Sequence, residues 1–166
     1  MHLETFNQLE AHEAHIVLKA CVHIPRWISD LSDQRPYAAL EQLYQTADQH
    51  ALTWQWAEIA AALALHPRIG EKKAAVQLSE KEQQFSQHEQ AQVSTDEELQ
   101  QALYQGNLAY EHKFGHIFLI RAAGRTGQEI LSALQHRLKN TLKKEQVEVK
   151  KQLTEIAMLR LKQEIQ

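Results

Sequence analysis

Turn-forming residues are scarce in this chain: 5 glycines and 3 prolines in 166 residues, about 5% where average usage supplies about 12%. That excludes a collagen-like repeat and disfavours a hairpin-rich β-sandwich, since both need Gly or Pro at most of their bends. A single cysteine, Cys21, excludes an intrachain disulfide. No apolar run approaches the ~20 residues of a membrane span. The opening MHLETFNQLEAHEAH is polar where a secretory leader needs a hydrophobic stretch. Positive charge is not in excess either: 18 Lys and Arg stand against 21 Asp and Glu, a net charge of -3 that does not suit a general nucleic-acid binder. The expectation is a soluble, cytoplasmic protein forming one domain over residues 1–166, with no nucleic-acid or membrane partner.

What the chain has in abundance is helical period. Thr5 with Gln8 resembles a capping box, and Ile16, Leu18, Cys21 and Val22 continue an apolar face toward Pro25. Pro36 suits a first helical position, opening a helix over 37–51 with Ala38, Leu40, Leu43, Tyr44 and Ala47 inward. Thr53 is a candidate cap for the apolar run WQWAEIAAALAL, a largely buried helix that Pro67 stops at His66. Thr95 with Glu98 caps a helix reaching about Lys113, where Gly115 breaks it. Ile117 to Ala123 is apolar without helical flanks and reads as one extended piece. Thr126 with Glu129 starts a helix lined by Ile130, Leu131, Leu134 and Leu138, and a last helix spans about Leu142 to Ile165 with Leu153, Ile156 and Leu159 inward. The predicted fold is all-α: a single-domain bundle of six to eight helices with one short extended segment.

Ten histidines raise the question of a metal. His12 with His15, and His112 with His116, have spacings that can share a helix face. Yet HEAH is one residue short of the H-E-x-x-H zinc signature, Gly115 interrupts the second pair, and Cys21 lacks a partner thiol, so no metal site is predicted. His66 is more constrained. At the end of a helix, the negative pole of the macrodipole favours its imidazolium. Two roles stand open on these grounds, a C-terminal cap and a general acid or base.

HPRIGE at 66–71, SQHEQAQV at 86–93, NLAYEHKFGHIFLIRAAGRT at 107–126, EIL at 129–131 and LRL at 159–161 together decide which context applies. In this order, over about residues 6–162, they resemble the OHCU decarboxylase family, which acts on 2-oxo-4-hydroxy-4-carboxy-5-ureidoimidazoline in urate breakdown. The resemblance implies an all-helical enzyme without metal or organic cofactor that releases CO2 and forms (S)-allantoin, and commonly a homodimer. It implies a catalytic His66 followed by Pro67, a second motif with Ser86, Gln87, His88, Glu89 and Gln90, and a substrate-lining main chain over Phe118, Leu119, Ile120, Arg121 and Ala122. Arg160 matches the arginine of the last helix. Ser79, Glu82 and Gln83 repeat the second motif seven residues earlier. The later copy is preferred because Ala91 and Val93 continue the family pattern, although Gln92 stands where the family has Gly. Arg121 likewise replaces a small residue.

These residue types suit the chemistry. Ser86 with Glu89 reads as a capping box, whose helix N-terminus would offer free N–H groups to a ligand oxygen. A carboxylate such as Glu89 near His66 favours the imidazolium and fixes its tautomer. Gln90 can donate to and accept from a ureido group, and an extended run leaves main-chain groups for a flat, amide-rich ligand. A non-catalytic helical adaptor accounts for the caps and the Gln-rich surface equally well. It gives no reason for HPRIGE and FLIRAAGR to occur together.

Overall fold

The structure, a computed structural model of the chain, describes residues 1–70, 79–90 and 96–166. Glu71 of the first motif, Ala91, Gln92 and Val93 of the second, and the proposed cap Thr95 lie outside the described residues. Among those described there are nine helices and no strand: Leu3–Gln8 (α1), Ala11–Cys21 (α2), Pro25–Asp33 (α3), Leu40–Leu52 (α4), Trp56–Leu63 (α5), Glu80–Glu89 (α6), Glu97–Phe114 (α7), Gly127–Arg137 (α8) and Leu142–Glu164 (α9). The all-α class is as expected. The chain forms two compact units, Met1–Ala62 with Thr154–Gln166, and Leu63–Leu153.

The first unit is built on Phe6, Leu18, Trp27, Leu31, Leu43 and Ala47, all buried. The Trp27 indole N–H donates to the Ala47 carbonyl at 2.9 Å. The C-terminal part of α9 belongs here, with Ile156, Leu161 and Ile165 buried and the Tyr44 hydroxyl donating to the Ile165 carbonyl at 2.6 Å. Several local expectations fail in this unit. No Thr5 box forms; the box belongs to Glu10 and Glu13 at the start of α2, and Ile16 is exposed. Pro36 does not open a helix, because the Asn7 amide pairs with both the N–H and the C=O of Tyr37 at 2.9 Å and keeps that residue outside α4, which begins at Leu40. Thr53 ends α4 rather than capping α5. Its hydroxyl donates to the His50 carbonyl at 2.8 Å and accepts from Arg26, while Glu58 takes the Gln55 N–H at the start of α5. Only one face of α5 is buried, through Ile59, Ala62 and Leu63. On α9, Leu159 is half-buried, and Arg160 and Leu161 are the buried residues beside it.

The second unit has a core of Ile69, Leu103, Tyr110, Phe114, Phe118, Ile120, Ala122, Ile130, Leu131 and Leu134. α7 starts at an Asp96 cap that accepts from the Glu98 N–H and ends at Gly115, whose φ of 77° is the left-handed geometry glycine tolerates. Gly106 lets α7 approach α8: a Cβ there would stand 2.5 Å from Leu134 Cδ2. The Thr126–Glu129 capping box forms as predicted, the Thr126 N–H donating to Glu129 at 2.8 Å.

Candidate functional site

α5 stops at Leu63, three residues before His66, and the His66 N–H closes the turn onto the Leu63 carbonyl at 3.0 Å. His66 is half-buried. Because it stands beyond the last helical turn, where the macrodipole's influence has fallen off, the dipole argument for its imidazolium weakens. The backbone that follows Pro67 is held from α7 by two side chains one turn apart. Arg68 pairs with Glu111, Nε to Oε1 at 2.9 Å and Nη2 to Oε1 at 2.8 Å, and the Asn107 amide donates to the Ile69 carbonyl at 3.1 Å. Gly70, with a φ of 84°, donates its N–H to Gln90 Oε1 at 3.1 Å. The segment after the histidine is thus tied directly to the second motif.

Ser86 and Glu89 do not form a capping box, which corrects the sequence reading. Ser79 caps α6: its hydroxyl accepts from the Glu82 N–H at 3.3 Å, and Glu82 Oε2 accepts from the Ser79 N–H at 2.8 Å. Ser86 lies inside the helix, so it offers no helix N-terminus to a ligand. A seven-residue separation is close to two helical turns, which places both copies of the motif on one stripe. Ser86, buried, shares this face with the half-buried Glu89 and Gln90 at i+3 and i+4. Gln87 and His88 are exposed on other sides of α6, and the fold does not bring them to that stripe. With its oxygen on Gly70, Gln90 retains its N–H groups for another partner.

Residues 117–122 form neither helix nor strand, and side chains take the place of a strand partner. Arg137 Nη1 donates to the Leu119 carbonyl at 2.8 Å, the Arg121 N–H donates to Gln152 Oε1 at 2.9 Å, and Arg125 Nε donates to the Arg121 carbonyl at 2.9 Å. Among the described residues, the main-chain groups of Phe118 and Ile120 make no hydrogen bond, although both residues are buried. The Arg121 side chain turns back onto the Ala123 carbonyl at 2.8 Å and braces the bend at Gly124. Ile69 packs in the same core cluster as Phe118, Ile120 and Ala122, so the segment after His66 and this run share one core.

Arg160 is buried within the α9 part of the first unit, and the other assigned residues belong to the second. Among the described residues no three His, Cys, Asp or Glu side chains gather as a metal site would need, and no helix is long and apolar enough to cross a membrane. Sequence reasoning missed Asn107, Glu111, Arg137, Glu145 and Gln152. A signal existed for three of them. Arg137 continues the inward stripe of Ile130 and Leu134, while Glu145 and Gln152 share the inward side of α9 with Val149, so each is a polar residue where the apolar period calls for a hydrophobe.

A family model described as OHCU decarboxylase matches residues 7–162. The chain is 27% identical over 167 residues to the uric acid degradation bifunctional protein of Bacillus sp. (strain TB-90), covering 98% of this chain and 32% of that protein. It is 29% identical over 126 residues to the uric acid degradation bifunctional protein TTL of Arabidopsis thaliana, covering 74% and 38%. The chain therefore spans about a third of the length of these curated relatives. Among solved structures, a crystal structure of OHCU decarboxylase in the presence of (S)-allantoin matches with a TM-score of 0.72 and 25% identity, covering 87% of this chain and 94% of that one. A crystal structure of (S)-allantoin synthase shares the fold, with a TM-score of 0.70 at 15% identity over 99% of this chain and 54% of that one. Since the matched region contains the His66 segment, the second motif and the irregular run alike, the chain belongs to the OHCU decarboxylase family.

Proposed function

We propose that this protein decarboxylates 2-oxo-4-hydroxy-4-carboxy-5-ureidoimidazoline to (S)-allantoin and CO2, as a cytoplasmic homodimer. The observation that carries the reading is the gathering, within one unit, of the segment after His66, of Gln90 bonded to Gly70, and of the run 118–122 around a shared core. The buried Phe118 and Ile120 peptide groups, without hydrogen bonds among the described residues, suit a flat ligand rich in N–H and C=O groups. Ser86 and Gln90 face the same way and add a hydroxyl and an amide. For Pro67, Gln87, His88 and Arg160 a binding role rests on the family motif alone.

In this mechanism the bond to the carboxylate breaks, CO2 leaves, and the electron pair enters the adjacent imine or carbonyl system of the substrate. His66 hydrogen-bonds near that carbon, steadies the developing charge and returns a proton to one face, which sets the (S) configuration. Glu89 orients the imidazole and favours its charged form. Positioned acid–base catalysis of this kind contributes about 10²–10⁴-fold. His66→Ala and His66→Asn are expected to lose that factor on freshly generated substrate, with helicity unchanged by circular dichroism and the product becoming racemic. Near-normal turnover in His66→Ala, read by chiral detection of allantoin, would overturn the mechanism. Light scattering on the purified protein tests the dimer.

A further inference from the structure

At the centre of the second unit lies a charged group that the proposed chemistry does not use. Glu145 is fully buried, and among the described residues the partners of its carboxylate are side chains of the same unit. Oε1 accepts from the Tyr110 hydroxyl at 2.5 Å and from Arg137 Nε at 2.8 Å, and Oε2 accepts from the Asn140 amide at 2.8 Å. Arg137 Nη2 stands 2.6 Å from Oε1 in ion-pair contact, outside hydrogen-bond alignment. Arg137 is 4% exposed, its guanidinium carbon lies 4.5 Å from the centre of the Phe118 ring, and its Nη1 donates to the Leu119 carbonyl.

Stability alone is a weak reason for this arrangement, since a buried ion pair can often be exchanged for well-packed hydrophobes at little or no loss. Its output is specific. Through one guanidinium the pair fixes both the ring of Phe118 and the carbonyl of Leu119, in a segment that has no strand partner to set its position. From α9, Gln152 holds the Arg121 N–H and is itself held by Glu148, its Nε2 donating at 2.9 Å. The peptide groups of residues 119 and 121 are thus anchored, and those of Ile120 between them are left to face elsewhere. We infer that Arg137, oriented by Glu145, is a positioning residue of the reaction: it sets where the 118–122 main chain meets the substrate. The inference rests on the decarboxylase reading.

The test uses the full chain and compares Arg137→Lys with the double variant Arg137→Met/Glu145→Leu. Lysine keeps the charge but cannot serve Glu145 and the Leu119 carbonyl together with a planar fork. The double variant removes the pair without leaving a charge unpaired. Each is expected to lose about 10- to 100-fold in kcat/KM, with a raised KM and a pH profile of wild-type shape, because His66 is intact. Glu145→Gln keeps the volume and the acceptor that faces Tyr110 and Arg137 but leaves the guanidinium without its counter-charge, and is expected to lose less kcat/KM per folded molecule than the double variant. Wild-type kcat/KM per folded molecule in Arg137→Lys would overturn the inference, and if the double variant does not fold, Arg137→Lys decides alone. A wild-type protein that leaves the substrate unturned would instead sink the decarboxylase reading, so the two failures are distinguishable.

Discussion

Ser79 and Ser86 occupy one stripe of α6 two turns apart and meet different surroundings. Ser79 satisfies helix N–H groups and has Glu82 as its reciprocal partner, whereas Ser86 is buried beside the residues that reach the His66 segment. Ser79→Ala is therefore expected to cost about 1 kcal/mol of stability in chemical denaturation and to leave kcat/KM unchanged per folded molecule. Ser86→Ala should do the reverse, lowering kcat/KM several-fold with a small change in stability. A fall in kcat/KM confined to Ser79→Ala would move the site to the earlier copy. Local sequence does not separate these two serines, because capping depends on where the helix begins and both copies have the spacing of a box. Thr126 shows when the same local pattern is sufficient: only one copy of it precedes the apolar run. His66 and Gln90 were legible as residues through the family motifs, whereas the bond from Gly70 to Gln90 was not, since it joins positions twenty apart in sequence.

At the scale of elements, helix ends were legible where a single residue decides them and illegible where another segment does. Gly115 belongs to the first kind. A left-handed residue is needed to end α7 and lead into the irregular run, and nothing lies within 4 Å of where a side chain would begin. The strain of Gly115→Ala is then a backbone effect alone, expected at about 1 kcal/mol. Gly115→Asn should cost less, because asparagine tolerates this geometry better. Thermal denaturation of both variants checks the order, and an alanine variant as stable as the wild type would show that α7 ends by another means. Pro36 and Thr53 belong to the second kind. Their roles follow from Asn7 and Arg26, residues of other helices that no local pattern points to. The run 117–122 was legible as non-helical because it lacks helical flanks. What holds it was not, for Arg137 and Gln152 come from two helices later in the chain.

Over the whole molecule, neither boundary between the compact units is a linker: one falls within α5 and the other within α9, so composition has nothing to mark. Each unit nevertheless buries a tyrosine whose phenol must stay neutral, which makes alkaline pH a probe of both. Burial pushes the Tyr37 phenol up to about 12, with Arg35 opposing and Asp30 assisting, and its hydroxyl donates to the Leu31 carbonyl. Tyr110 is raised further, first by burial and then by its hydrogen bond to Glu145. A phenol that is harder to ionise when folded stabilises the fold fully below its ordinary value of about 10 and ceases to do so as pH rises through the folded value. For Tyr37 this linkage is on the order of 2–3 kcal/mol. Stability is therefore expected to fall between about pH 10 and pH 12, with helicity and phenolate absorbance changing together rather than in succession. Tyr37→Phe should be less stable at neutral pH by about 1 kcal/mol, having lost the bond to Leu31, but should decline less steeply in alkali. If all the phenols titrate near their ordinary value while the helical signal stays constant, the buried tyrosines are not what limits the fold at high pH.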